Sequence, residues 1–170
     1  MKRFLFIAIT ALFVQLSFAQ NEISRDEHGN KVVRGFLTKQ DFMTDTAFTW
    51  FAENQKDYVP NPNALAALKA NRDNINFIVF GGTWCSDTKF VLPKFFMLAD
   101  AAGFPQDRIT VIGVDHDKKT IQHLAEAFNI TNVPTIIVMK EGKEVGRVVE
   151  YGPEGVFDKT LGEIISGKKK

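Results

Sequence analysis

From Phe77 to Ile165 the chain alternates between short unbroken apolar runs and longer stretches whose apolar residues recur every three or four positions. Phe77-Ile78-Val79-Phe80 has no polar break, the pattern of a strand buried on both faces, and Gly81-Gly82 ends it. Ser86 to Ala102 then reads as a helix, with Val91, Leu92, Phe95, Phe96, Ala99 and Ala102 on a wide apolar face, closed by Gly103. Ile109 to Val114 is a second buried strand. Ile121, Leu124, Ala125 and Phe128 stand at i, i+3, i+4 and i+7, which predicts an amphipathic helix. Thr135 to Met139 and Val145 to Val149 read as two strands joined through Glu141-Gly142 in a tight hairpin. Phe157, Leu161, Ile164 and Ile165 form the stripe of a closing helix.

Upstream the pattern is weaker. Lys31 to Phe36 predicts a short edge strand. Thr38, three residues before Asp41, is a capping-box start for a helix reaching about Lys56, although Phe42, Ala47, Phe48, Trp50 and Phe51 follow helical spacing only loosely. Pro60-Asn61-Pro62 interrupts the chain, and Ala64 to Ala70 restarts as an alanine-rich helix. The polar residues 20–30 read as a flexible leader. A parallel strand pair crossed over by a helix and followed by a hairpin predicts an α/β fold. It would have a mixed central sheet of four to five strands, helices on both faces and an N-terminal helical extension. One domain over 31–167, with its core at 77–165, accounts for the length.

The first nineteen residues stand apart. Lys2 and Arg3 precede a run from Phe4 to Val14 that is apolar apart from Thr10, and Ser17-Phe18-Ala19 supplies small residues for cleavage. The run is shorter than the about 20 residues of a spanning helix, so residues 1–19 read as a signal peptide cut after Ala19. The expected location is therefore periplasmic or secreted, without a membrane anchor after cleavage. Removing Lys2 and Arg3 leaves 19 basic against 20 acidic residues, a balance that gives no reason to expect nucleic acid as a partner.

Export makes the cysteine count informative. Cys85 is the only cysteine, so the chain holds no internal disulfide, and a free thiol in an oxidising compartment calls for an explanation. It lies in Gly81-Gly82-Thr83-Trp84-Cys85-Ser86-Asp87-Thr88, between the first buried strand and the long helix. A sulfur at a helix N-terminus meets unpaired backbone N–H groups that favour its thiolate, the reactive form. Asp87, two residues on, opposes that charge, and Lys89 partly offsets it.

In this arrangement the chain resembles the thioredoxin superfamily, over roughly Phe77 to Ile165. Trp84-Cys85 lies at the end of a strand and the start of a helix. Pro93, eight residues after the cysteine, falls where the superfamily has a kinking proline. Val133-Pro134-Thr135 falls before the hairpin, where the superfamily has a cis-proline, and a final helix closes the domain. The resemblance implies a thioredoxin-like fold and thiol–disulfide chemistry, with Val133 and Pro134 positioning a substrate backbone beside Cys85. Trp84, Ser86, Asp87 and Thr88 would support the sulfur. Two departures qualify it. Thr88 stands where two-cysteine members carry the resolving thiol, and Val79 where they bury an aspartate. Threonine forms no disulfide but could hydrogen-bond the Cys85 thiolate. The expectation is a one-cysteine cycle of attack, mixed disulfide and release by an external thiol.

The expected partners are exported protein thiols or disulfides, or a small thiol; the chain is expected to be a monomer without cofactor. The alternative is a binding or chaperone-like module that keeps the fold and groove without turnover. Asp115-His116-Asp117 reads as a polar turn with Asp117 near the next helix N-cap, rather than as a metal site. His123 falls on a polar helix face. No Ser-His-Asp order, paired-carboxylate motif or phosphate loop is evident, and a peroxidase is disfavoured because peroxiredoxin-like sites place threonine before the cysteine in a different surround.

Overall fold

The structure is a computed structural model that describes residues 21–168. The expected signal peptide lies outside the described residues. Six strands form one mixed sheet: β1 Asn21–Arg25, β2 Lys31–Leu37, β3 Ile75–Gly81, β4 Ile109–Gly113, β5 Thr135–Lys140 and β6 Lys143–Val149. Their order is β1-β2-β4-β3-β5-β6, and β3 with β4 is the parallel pair. The helices are α1 Lys39–Thr44, α2 Trp50–Glu53, α3 Pro62–Asn71, α4 Ser86–Ala101, α5 Leu124–Ala127 and α6 Phe157–Ile165.

Alternation along the central strands sends side chains into two cores. Phe77, Val79, Val111, Ile136 and Val138 meet Phe42, Phe51, Leu68, Phe95 and Leu161 from α1, α2, α3, α4 and α6. Phe80, Ile112 and Ile137 point the other way, onto Val114, Ala125, Ile130 and Val133. This is why β3 carries no polar break: each residue of the run has a hydrophobic partner on one face or the other. Five helices thus cover one face, and α5 with its flanking loops covers the other.

Five expectations are corrected. The stretch read as a flexible leader contains β1, paired antiparallel with β2 from Asn21 opposite Gly35 to Arg25 opposite Lys31. The sheet therefore has six strands rather than four to five, and β2 is an inner strand. β1 is polar because it is an outer strand, exposed along most of its length; alternation there gives no hydrophobic signal. The helix expected from Thr38 to Lys56 starts with its capping box but stops at Thr44. There the Asp45 carboxylate accepts the Ala47 N–H at 2.9 Å and caps a new 3-10 turn, Thr46–Phe48, ahead of α2. The amphipathic helix expected from Ile121 is broken as well. Gln122 and His123 take left-handed φ values of 53° and 55°, which leaves only α5 as α-helix. The same apolar residues reach the sheet from a turn plus a single helical turn.

The N-terminal extension is fastened to the end of the chain. Asp158, buried on α6, accepts the Tyr58 hydroxyl at 2.8 Å and the Asn61 N–H at 2.9 Å. α3 lies on α6 so closely that a Cβ at Gly162 would stand 2.7 Å from Ala64 Cα.

Candidate functional site

β3 ends at Gly81, and the chain turns through Gly82, Thr83 and Trp84 into α4. Two buried threonines hold this turn. Thr83 Oγ1 donates to the Lys31 carbonyl at 2.6 Å and accepts the Val33 N–H at 3.3 Å, which ties the turn to β2. Thr88 Oγ1 accepts the Gly82 N–H at 3.1 Å.

Cys85 is the N-cap residue of α4, with φ −78° and ψ 129°, and no side chain caps the helix. The first-turn amides are therefore left open at the end that carries the sulfur, the position where helix geometry favours an anion. The thiol is half-buried and free. Its Sγ donates to the Val133 carbonyl at 3.3 Å, across 48 residues of sequence. The Val133–Pro134 bond is cis. Val133 and Pro134 are both buried, and the Pro134 carbonyl accepts the Glu150 N–H at 2.7 Å, which anchors the loop to the end of β6.

The residues singled out around the thiol have separate tasks. Trp84 is half-buried: its Nε1 donates to the Val114 carbonyl at 3.0 Å, and its ring stacks on His116 at 3.9 Å. Ser86 is exposed and donates to Asp87 at 3.4 Å. Asp87 also accepts the Tyr151 hydroxyl at 2.9 Å. Lys89 reaches Asn30 at 3.2 Å, toward the β1–β2 loop. Thr88 corrects an expectation. It forms no hydrogen bond with Cys85 among the described residues; its oxygen accepts the Gly82 amide instead.

Two partners were not foreseen. Tyr151 sits in the turn after β6 and packs on Phe90 with ring centroids 5.5 Å apart. Burial, the bond to Asp87 and the nearby Cys85 and Glu150 push its phenol up to about 12. His116 is the second: it joins the site tryptophan to Asp26, with Nε2 to Oδ2 at 3.3 Å. Bonds from Asn30, aided by the His28 amide and His116, hold the Asp26 carboxyl down at about 2. Only a long-range fold brings these groups together, so their signals in sequence are faint: an aromatic residue just after a predicted strand, and a histidine in a polar turn.

Among the described residues no group of three His, Cys, Asp or Glu side chains could hold a metal ion. Asp115 accepts the Asp117 and Lys119 amides at 3.0 and 2.8 Å, so Asp115 organises that turn and Asp117 is not the next N-cap; Thr120 is. A cavity of about 500 Å³ lined by Leu37, Met43, Phe96 and Ile109 lies at the opposite end of the strands from Cys85. No helix among the described residues is long and apolar enough to cross a membrane.

A family model described as Thioredoxin matches residues 63–163. The thioredoxin of Echinococcus granulosus is 33% identical over 91 residues, which cover 54% of this chain and 78% of that protein. A Staphylococcus saprophyticus thioredoxin is 29% identical over 94 residues, covering 55% and 82%. Among solved structures, a reduced Schistosoma mansoni thioredoxin pre-protein aligns at 25% identity over 63% of this chain and 90% of its own, with a TM-score of 0.41.

Proposed function

This chain belongs to the thioredoxin family, and we propose that it is an exported thiol–disulfide exchange protein working through Cys85 alone. Thiol–disulfide chemistry on protein thiols is the general activity of that family; export and the single-thiol cycle are the finer reading. The observation that carries it is the placing of the only thiol. Cys85 stands at an uncapped helix N-terminus, 3.3 Å from the Val133 carbonyl, and the residue one turn on is a threonine bound to backbone.

In the forward step the Cys85 thiolate attacks one sulfur of a substrate disulfide. The substrate S–S bond breaks, a Cys85–substrate disulfide forms, and the other substrate sulfur leaves as a thiolate that takes a proton from solvent. Thr88 has no thiol with which to attack that intermediate. A second, external thiolate attacks the substrate sulfur instead, makes a new disulfide with it and returns Cys85 as thiolate. The sulfur is regenerated and the exchange is redox-neutral for the protein. The Val133–Pro134 loop would hold the substrate backbone beside the sulfur. The basic start, apolar run and Ser17-Phe18-Ala19 of the sequence support export to a compartment where disulfides persist.

The test is to express the full chain, quench the cells with acid and alkylating agent, and separate the protein under non-reducing conditions. The proposal expects thiol-sensitive adducts that vanish in Cys85→Ser, on a protein recovered outside the cytoplasm with Gln20 at its N-terminus. A Cys85 that carries no adduct, while a folded protein still binds polypeptides, would replace exchange by a binding module.

A further inference from the structure

Asp87 is the one carboxylate in the first turn of α4, two residues from the sulfur, and a negative charge there works against a thiolate. The fold does not leave that carboxylate alone. The Tyr151 hydroxyl donates to Asp87 Oδ1 at 2.9 Å, and the exposed Ser86 hydroxyl donates more weakly to the same oxygen at 3.4 Å. The tyrosine is itself fixed. Its ring lies against Phe90 one turn further along α4, and Lys94 Nζ sits 3.4 Å from the centroid of the Phe90 ring. Tyr151 thus reaches across from the end of β6 to grip the first turn of the helix that presents the thiol.

We infer that Tyr151 is a positioning residue for the Cys85 reaction, acting through Asp87: its hydroxyl holds the carboxylate and weakens the field by which Asp87 opposes the thiolate. The inference rests on the exchange reading for its biological use but concerns the sulfur's reactivity in any reaction. A phenol does this without adding a competing charge. Because Tyr151 is pushed up to about 12, it stays a neutral donor across the working range. Two other charged groups lie near this corner, and the charge of Glu150 also acts on the Tyr151 phenol. Glu150 accepts from Asn132 at 2.9 Å, and Lys89 donates to Asn30 at 3.2 Å. His116 lies behind the Trp84 ring, on the Asp26 side.

The probe is iodoacetamide, from which the Cys85 thiolate displaces iodide to form a C–S bond, followed as rate against pH. Four proteins are compared: wild type, Tyr151→Phe, Asp87→Asn and the double variant. Tyr151→Phe keeps the ring on Phe90 and removes only the donor. It should slow alkylation at neutral pH by about threefold and move the pH profile upward. Asp87→Asn should move the profile downward, and adding Tyr151→Phe to it should change nothing further. An unchanged rate in Tyr151→Phe would overturn the inference. So would the same slowing in both backgrounds, which would mean that the ring's environment rather than the carboxylate is responsible. The assay needs no disulfide turnover, so a failure to trap mixed disulfides would sink the exchange reading and leave this result standing.

Discussion

Thr88 Oγ1 accepts the Gly82 N–H at 3.1 Å, so the side chain one turn after Cys85 faces the end of β3 and not the sulfur. Gly81 and Gly82 are both buried, and a Cβ at Gly81 would stand 2.9 Å from the Thr88 methyl. The threonine fills the space beneath the turn that carries the thiol and satisfies an amide that water cannot reach. It acts as a structural clamp at the position where a second thiol would have acted.

Thr88→Val should therefore destabilise the protein, since the methyl groups still fit but the Gly82 amide loses its acceptor. A cost of about 1–3 kcal/mol is expected for a buried donor left unmet. Urea unfolding of the variant beside Thr88→Ser, which keeps the oxygen, measures it. Equal midpoints for the valine and serine variants would contradict the clamp.

Thr88→Cys places a thiol one helical turn from Cys85 and should convert the proposed one-cysteine cycle to an internal one. Mixed disulfides trapped on the wild type should give way to a bridge between Cys85 and the introduced thiol, seen by mass spectrometry as the loss of two hydrogens on oxidation. Persistence of the wild-type adducts at undiminished level would show that a second thiol there cannot reach the first.

Gly162→Ala tests the seat of the N-terminal extension. The added Cβ would meet the Ala64 backbone at 2.7 Å, and backbone gives way less readily than the tip of a side chain. A loss of about 1–3 kcal/mol is expected, read as a fall in thermal midpoint. Iodoacetamide reactivity of the folded variant should stay near wild type, because the contact lies away from the sulfur.

Asp26 supplies a pH signature. Its carboxyl is lowered from 3.8 to about 2 in the folded protein, chiefly by the Asn30 side chain. A depressed folded value stabilises the native state above the unfolded value and ceases to do so as pH falls through the folded one. The difference in thermal midpoint between wild type and Asp26→Asn should be full above about pH 4 and vanish toward pH 2. A difference independent of pH across that window would assign the contribution to shape and not to charge.

The sequence reading succeeded where a segment's surroundings are uniform. β3, β4 and β5 lie between two cores and so are largely apolar, and α4 buries one broad face for four turns. It failed where one remote partner decides. Asp45 ends α1 by capping the next turn while it pairs with Lys31 of β2, a partner its own neighbourhood does not signal. β1 is polar because half of its hydrogen bonding and most of its side chains face outward. Cys85 and the Val133–Pro134 loop could be named from their places along the chain. The hold of Tyr151 on Asp87 and of His116 on Trp84 could not, since 64 residues in one case and 32 in the other separate partners that only the finished fold brings together.

The grip of Asp158 on Tyr58 and Asn61 joins positions 100 and 97 residues apart. Pro62–Asn71 thus lies against Phe157–Ile165, far along the chain, while its Leu68 joins the same core as Phe77 and Phe95. Closing the N-terminal layer therefore takes pairings of high sequence separation, whose loop-closure cost slows folding.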